Sequence, residues 1–195
     1  MGQIQPTENL RQTLRGATAS AHDLLDGTMR EAAGWTTRDD YTRFLSLQYA
    51  ARLPVEAWLE ANAPNDLRPP AQSALIAKDL GELDEDLPET AAQFAIPTQP
   101  NASESSDHAR ALGAAWVLAG SSLGNRSILG EVRRTAQDNG AADWPTTFLG
   151  DPSMLEFWKG LRKQIEVGAE TETVVLASQA ADAVFQHFID HAQSA

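Results

Sequence analysis

The chain has 195 residues, a formal net charge of −12 and no cysteine. This length suits one domain that buries its own core, and we take residues 1–195 as a single domain. The negative charge disfavours nucleic acid and membrane surfaces as partners, and the lack of cysteine excludes disulfides and thiol chemistry. No apolar run approaches the roughly 18 residues of a membrane span, and the N-terminus is polar, so we expect a cytoplasmic protein.

Helical periodicity follows a short polar tail over residues 1–7. Apolar residues at three- and four-residue spacings predict a first helix over about residues 8–30. Thr36 and Thr37, with two aspartates just behind them, predict the start of a second helix, and Pro54 is expected to kink it.

The middle of the chain contains a third helix and a long connection. Pro69-Pro70 is expected to open the helix. The periodicity is then lost over residues 88–107, which we interpret as a long surface loop within the domain. Ser106 or Asp107 can cap the helix that follows.

Helical spacing continues through the second half of the chain. An alanine-rich pattern up to Leu118 resumes after Gly124 and stops at Asn139-Gly140. Asp151-Pro152 predicts the start of another helix, and a final helix spans about residues 173–192. Since no alternating strand pattern occurs, we predict an all-α fold, a single-domain bundle of several helices.

His22 lies on the apolar side of the first predicted helix. A neutral imidazole there can give one ring nitrogen to a haem iron while an acceptor holds the other nitrogen. Single histidines are more often ordinary core or surface residues, so the spacing by itself leaves both interpretations open.

The segment Gly120-Ser121-Ser122-Leu123-Gly124 puts two glycines on one helical face. Each glycine costs up to about 1 kcal/mol relative to alanine, so something should offset that cost. One candidate is a flat ligand, which a backbone without Cβ atoms can approach closely. The other is close packing against a second helix.

The same five residues match the G-x-S-x-G pattern of the hydrolase nucleophile elbow. An elbow requires a strand, a sharp turn and then a helix. Residues 109–118 are alanine-rich and helical in pattern, so a hydrolase is disfavoured.

Three further histidines need an interpretation. His187 and His191 are four residues apart and share a helical face, as two metal ligands can. No third ligand accompanies them, and neither H-E-x-x-H nor E-x-x-H occurs in the chain. We interpret both as solvated cations near a helix C-terminus, and His108 as an exposed surface residue.

Basic residues occur at two places that could hold a carboxylate. Arg15 lies seven residues before His22, two helical turns along the same face. Lys159, Arg162 and Lys163 cluster on the helix that begins near Asp151. Each can clamp a carboxylate, and each can equally belong to a solvated face with surface ion pairs.

Three segments carry a resemblance to a known family. Leu14-Arg15-Gly16-Ala17-Thr18 with His22 resembles an opening L-[RK]-x-x-T-x-x-x-H signature. Residues 112–124 are similar to a distal helix that reads close to G-S-x-L-G-G, and Phe148-Leu149 with Trp158 resembles a penultimate helix. In this order they resemble the haem oxygenase family, particularly its bacterial biliverdin-forming branch.

The resemblance implies a chemistry and a set of partners. Haem would be both cofactor and substrate, cleaved with dioxygen to biliverdin, ferrous iron and carbon monoxide. Electrons would come from a ferredoxin or a reductase, and a phytochrome is one possible acceptor of the biliverdin.

The resemblance also implies roles for individual residues. His22 would be the axial iron ligand, and Gly120 and Gly124 would form the flexible distal face. Arg15 matches a basic residue near the haem propionates. The cluster on the later helix supplies looser candidates for the same role: Lys159, Arg162 and Lys163.

Two positions depart from the family pattern. Asn125 stands where a second consecutive glycine is frequent, and Ser121 stands where animal-type enzymes place an aspartate that organises water. With Gly120 and Gly124 they form the candidate catalytic set. These departures keep open a haem carrier, sensor or interaction protein on the same fold without turnover. A thiaminase-like hydrolase on a related fold is disfavoured because the chain has no cysteine.

Overall fold

The computed structural model describes residues 9–89, 93–97, 103–140 and 143–194, which fold into a bundle of helices. In chain order these residues form the following elements: α1 (Leu10–Ala32), α2 (Arg38–Asn62), a 3₁₀ helix (Asn65–Leu67), α3 (Ser73–Glu82), α4 (Glu104–Asp138), α5 (Thr147–Gly150), α6 (Ser153–Ile165) and α7 (Thr171–Gln193). Within the described ranges, extended pairing is limited to an isolated bridge between Asn9 and Gly168. The predicted all-α fold is confirmed.

The C-terminal helix α7 is the central element of the bundle. It packs along both α1 and α4, and their buried side chains form the larger hydrophobic cluster together with α6. A second cluster joins α2, α3 and α5 to the end of α4. In the described chain α1 and α4 are connected mainly through α7, so the two helices can flank a cleft above it.

One close contact fixes how α4 approaches α7. A Cβ atom added at Gly113 would collide with the backbone of Ala177, its carbonyl oxygen first. Only a glycine therefore allows the two helix backbones to lie this close.

Helix α2 begins where the two threonines predict. Thr37 accepts from the backbone N–H of Asp40 at 3.1 Å, and the Asp40 carboxylate accepts from the backbone N–H of Thr37 at 3.1 Å. The hydrogen bonds from Thr36 and Thr37 hold the pKa of Asp40 below its usual value. The helix continues through Pro54 to Asn62.

Helix α3 begins at Ser73, three residues later than the proline pair suggests. The carboxylate of Glu56 on α2 accepts from the backbone N–H of Gln72 at 2.8 Å and from the Ser73 hydroxyl at 2.5 Å. The N-terminus of α3 is thus capped by a residue of another helix, which local sequence cannot indicate.

A similar tertiary cap creates α5, which the sequence analysis did not predict. Asp79 on α3 is fully buried and accepts from the backbone N–H groups of Thr147 and Phe148, each at 2.9 Å. Two buried carboxylates, Asp79 and Glu56, therefore tie α3 to its neighbours.

The connection predicted as a surface loop is shorter and less exposed than expected. Helix α4 begins at Glu104 with Ser103 as its cap, ahead of the predicted Ser106 and Asp107. Phe94 and Ile96 are buried in the main cluster. Residues 90–92 and 98–102 of this connection lie outside the described residues, as does the predicted tail over residues 1–7.

Helix α4 is one continuous helix of 35 residues that passes through Gly120 and Gly124. A strand before the G-x-S-x-G segment is absent from this part of the structure, which excludes the nucleophile elbow. Among the described residues, no helix has the length and hydropathy needed to cross a membrane.

Candidate functional site

His22 projects from the middle of α1. The sequence analysis expected it on the apolar side of the helix, but its side chain is 59% exposed, at the margin of the buried stripe. Its Nδ1 atom lies 3.5 Å from a carboxylate oxygen of Asp26 and 3.9 Å from one of Asp23. Within the described chain Nε2 has no partner. A carboxylate on one ring nitrogen with the other accessible is the arrangement that orients a metal-binding imidazole.

An aromatic ring of α7 lies between α1 and α4. The Phe185 ring contacts the His22 ring edge-on at a centroid distance of 6.0 Å, and it contacts the Trp116 ring at 6.5 Å. Trp116 lies one helical turn before Gly120 on α4. The Phe185 ring therefore lies between His22 and the face of α4 that carries Trp116, Gly120 and Gly124.

Trp116 also carries an unsatisfied donor. Its Nε1 atom is buried and has no hydrogen-bond partner among the described residues. An unpaired buried donor costs about 1–3 kcal/mol, and a bound group with an acceptor atom would remove that cost. Trp116 and Phe185 cannot be recognised as site residues from the sequence, because both follow the apolar pattern of a core.

The two glycines that the sequence analysis singled out face open space. A Cβ atom added at Gly120 or at Gly124 would meet no described heavy atom within 4 Å. Close helix packing therefore does not explain either residue, whereas it does explain Gly113. The flat-ligand interpretation of this segment stays a prediction, since Gly130 further along the same helix is equally open.

The two residues that depart from the family pattern differ in their bonding. The Ser121 hydroxyl donates to the carbonyl of Leu118 at 2.7 Å and accepts from Nη2 of Arg52 at 3.0 Å. Its proton is thus committed to the helix backbone, and only one lone pair is left for a ligand. Asn125 is partly exposed, and its side chain makes no hydrogen bond within the described ranges.

The basic residues of α6 are exposed and two of them are already paired. Lys159 lies 2.6 Å from a Glu156 carboxylate oxygen, and Arg162 lies 2.7 Å from one of Glu166. Lys163 has no ion pair in the described part of the chain. Such exposed pairs contribute little to stability and can be exchanged for a ligand carboxylate at small cost.

The end of α6 and the start of α1 lie side by side. Glu166, which pairs with Arg162, also pairs with Arg11 at 3.3 Å, and the backbone N–H of Leu10 donates to the carbonyl of Val167. Arg15 is exposed one turn beyond Arg11 and has no ion pair among the described residues. The structure therefore brings Arg15 and the α6 cations to one edge of the bundle.

The histidines of α7 are not the solvated cations that we expected. Both are partly buried: Nε2 of His187 donates to the carbonyl of Ala51 at 3.0 Å, and Nδ1 of His191 donates to the carbonyl of His187 at 2.8 Å. Burial, and next the neighbouring His191, lower the pKa of His187. The tertiary contact with α2 overrides the solvated position that a helix C-terminus suggests. His108 is exposed, as predicted.

Two surface cavities lie elsewhere on the described chain. One, of about 510 Å³, lies between Trp35 and the last turns of α4, and one of about 390 Å³ is lined by Trp58 and Phe94. Neither includes His22 or the glycine face. The candidate site therefore does not coincide with either of these cavities.

Comparison with known proteins gives a match in structure alone. No family model and no curated protein sequence matches the chain. The crystal structure of the NO- and CO-bound haem oxygenase from Neisseria meningitidis is similar, with a TM-score of 0.71 and 17% sequence identity. The match covers 96% of this chain and 92% of that one. The protein has the all-helical haem oxygenase fold.

Proposed function

We propose that the protein binds haem between α1 and α4 and cleaves it to biliverdin, ferrous iron and carbon monoxide with dioxygen and an external electron donor. One observation carries this proposal. His22, with Asp26 beside its ring, and the open glycine face of α4 lie on either side of the Phe185 ring. The likeness in fold to a haem oxygenase supports the same use of the cleft.

The residues present fit a haem group. His22 offers an accessible Nε2 atom, and Gly120 and Gly124 leave room for a macrocycle against the α4 backbone. Phe185 supplies an apolar ring between the two helices, and Nε1 of Trp116 is a buried donor without a partner. Phe185 also packs in the main hydrophobic cluster, whereas Nε2 of His22 and Nε1 of Trp116 have no partner among the described residues.

Haem bound here would supply the iron that activates dioxygen and the porphyrin carbon that is oxidised. The chain would orient and protect that chemistry. Asp26, whose carboxylate lies 3.5 Å from Nδ1 of His22, would orient the ring so that Nε2 is left for the iron. On the opposite side, Ser121 presents only a lone pair, because its proton is bonded to Leu118.

Gly120, Ser121, Gly124 and Asn125, the described residues proposed for the α4 side, include no strong acid. Any proton needed on this side would then come from water and not from a side chain of α4. Asn125, with its free amide, is the residue of this side that can hold such a water.

The propionates of haem would be held by the basic edge of the bundle. Arg15 and Lys163 are exposed and unpaired in the described chain, and Lys159 and Arg162 can leave their surface carboxylates. The electron donor, a ferredoxin or a reductase, and a phytochrome as acceptor of biliverdin belong to the same proposal, as does a cytoplasmic location.

Titration of the purified protein with haemin tests the proposal. We expect a Soret band with the signature of an axial histidine, lost in His22→Ala and retained in the control His108→Ala, whose histidine is exposed at the start of α4. An unchanged spectrum in His22→Ala contradicts the assignment of the ligand.

A haem carrier or sensor without turnover is the second candidate. The high exposure of His22 favours it, because an exposed ligand suits transfer of haem as well as its oxidation. Addition of ascorbate or a ferredoxin system to the haem complex separates the two functions. Biliverdin absorbance and carbon monoxide release identify the oxygenase, and a stable Soret band under the same conditions identifies the carrier.

A further inference from the structure

Arg52 of α2 is a fully buried arginine outside the site that the sequence predicts. Arg52 is 1% exposed, and its Cζ atom lies 5.4 Å from the ring centroid of Phe148 and 6.0 Å from that of Phe188. Nη2 donates to the Ser121 hydroxyl at 3.0 Å and lies 3.5 Å from the Gln48 side-chain oxygen. The contact with Ser121 joins α2 to the glycine segment of α4.

The position of Arg52 is poorly explained by stability alone. Nε and Nη1 are buried and have no partner among the described residues, and burial lowers the pKa of Arg52. The neighbouring carboxylate of Glu56 is bonded to the start of α3 and forms no ion pair with the guanidinium. An apolar side chain of similar size would avoid the cost of desolvating a charge.

We propose that Arg52 is a positioning residue of the cleft: through Ser121 it holds the turn of α4 that carries Gly120 and Gly124, and it places a buried positive charge behind that face. Because the Ser121 proton is bonded to Leu118, the bond from Arg52 fixes which lone pair faces the cleft. The effect of the charge on a haem ligand rests on the proposed function, whereas the hold on the α4 turn does not.

Hydrogen exchange of the haem-free protein tests the hold on α4. We expect the amides of residues 120–124 to exchange about tenfold faster in both Arg52→Met and Ser121→Ala, since a charged hydrogen bond is lost in each. The double variant should exchange no faster than either single variant. Arg43→Met, which removes an exposed arginine from the same helix, is the control and should leave these amides unchanged.

Azide binding to the ferric haem complex tests the proposed effect of the Arg52 charge on a haem ligand. Loss of a buried cation near the distal face should weaken azide roughly tenfold in Arg52→Met. Arg52→Lys, which keeps the charge, should restore most of the affinity. Purely structural support would not produce this rescue.

Each result decides one part of the inference. Unchanged exchange in Ser121→Ala overturns the hold on α4, as does an additive double variant. Faster exchange with unchanged azide affinity overturns the role of the charge. If the wild-type protein binds no haem, the proposed function fails, and the exchange data still decide whether Arg52 holds the glycine turn.

Discussion

Gly113 and the pair Gly120 and Gly124 lie on the same helix and lack a Cβ atom for opposite reasons. At Gly113 the neighbouring α7 backbone occupies the space that a Cβ would need. At Gly120 and Gly124 nothing described lies within 4 Å of that position. Helix packing therefore requires a glycine at position 113 and does not require one at Gly120 or Gly124.

Gly113 is packed against another helix, and Gly120 and Gly124 are open. Helix packing accounts for a glycine when its neighbour is visible in the structure. Gly120 and Gly124 have no such neighbour among the described residues, and we propose that a bound ligand offsets their conformational cost of up to about 1 kcal/mol each. The proposed haem would lie between these glycines and the accessible Nε2 of His22.

The largest effect on stability is expected at Gly113. Gly113→Ala forces a methyl group into the Ala177 carbonyl and should cost roughly 3 kcal/mol or more, because backbone cannot yield as a side chain can. Gly120→Ala, the matched change in open space, should stabilise the haem-free protein by up to about 1 kcal/mol. Urea unfolding measures the stability of both variants. Equal stabilities would contradict the difference in packing between Gly113 and Gly120.

The largest effect on function is expected at Gly120. Gly120→Leu should not lower the unfolding free energy of the haem-free protein, because the position is open and Leu favours a helix, and it should block biliverdin formation, since its side chain enters the cleft. Gly130→Leu makes the same change at another open position of α4 and should retain the activity. A normal biliverdin yield from Gly120→Leu would refute the assignment of the distal face.

A smaller effect on haem binding is expected across the cleft. Asp26→Asn removes the carboxylate 3.5 Å from Nδ1 of His22 and should weaken haem binding about 10- to 100-fold. Asp23→Asn, at 3.9 Å and more exposed, is the control and should bind nearly as wild type. Equal affinities for haemin in these two variants would show that Asp26 does not orient the ligand.

The smallest effect concerns the far side of α7, where His187 packs on α2. The pKa of His187 is lowered in the folded state, so the unfolded chain binds a proton more readily at acidic pH. Its contribution to stability is therefore complete above its ordinary pKa of about 6.5 and declines as the pH falls below that value. Unfolding of His187→Gln, compared with His108→Gln, should show a flatter loss of stability below that pH. Parallel curves for His187→Gln and wild type would contradict the buried neutral form.

The helix starts show which N-terminal caps can be predicted from the local sequence. The start of α2 was predicted from Thr37 because its cap lies within four residues. The start of α3 was misplaced because its cap is Glu56, which belongs to another helix. Helix α5 was missed for the same reason, since Asp79 supplies its N-terminal acceptors.

The residues of the candidate site also differ in whether the local sequence reveals them. His22, Gly120 and Gly124 stand out in the sequence because ring nitrogens and missing Cβ atoms are rare features of a helix. Trp116 and Arg52 do not stand out, because an unpaired indole N–H and a buried guanidinium become visible only when neighbouring helices enclose them.

The all-helical class, most helix positions and the glycine segment follow from the periodicity and composition of the chain, because these depend on neighbours three or four residues apart. The tertiary structure decided which glycine is packed and which are open, where His22 points, and that Ser121 has given its proton to the backbone. Those features depend on contacts between residues far apart in the chain, and no local pattern encodes them.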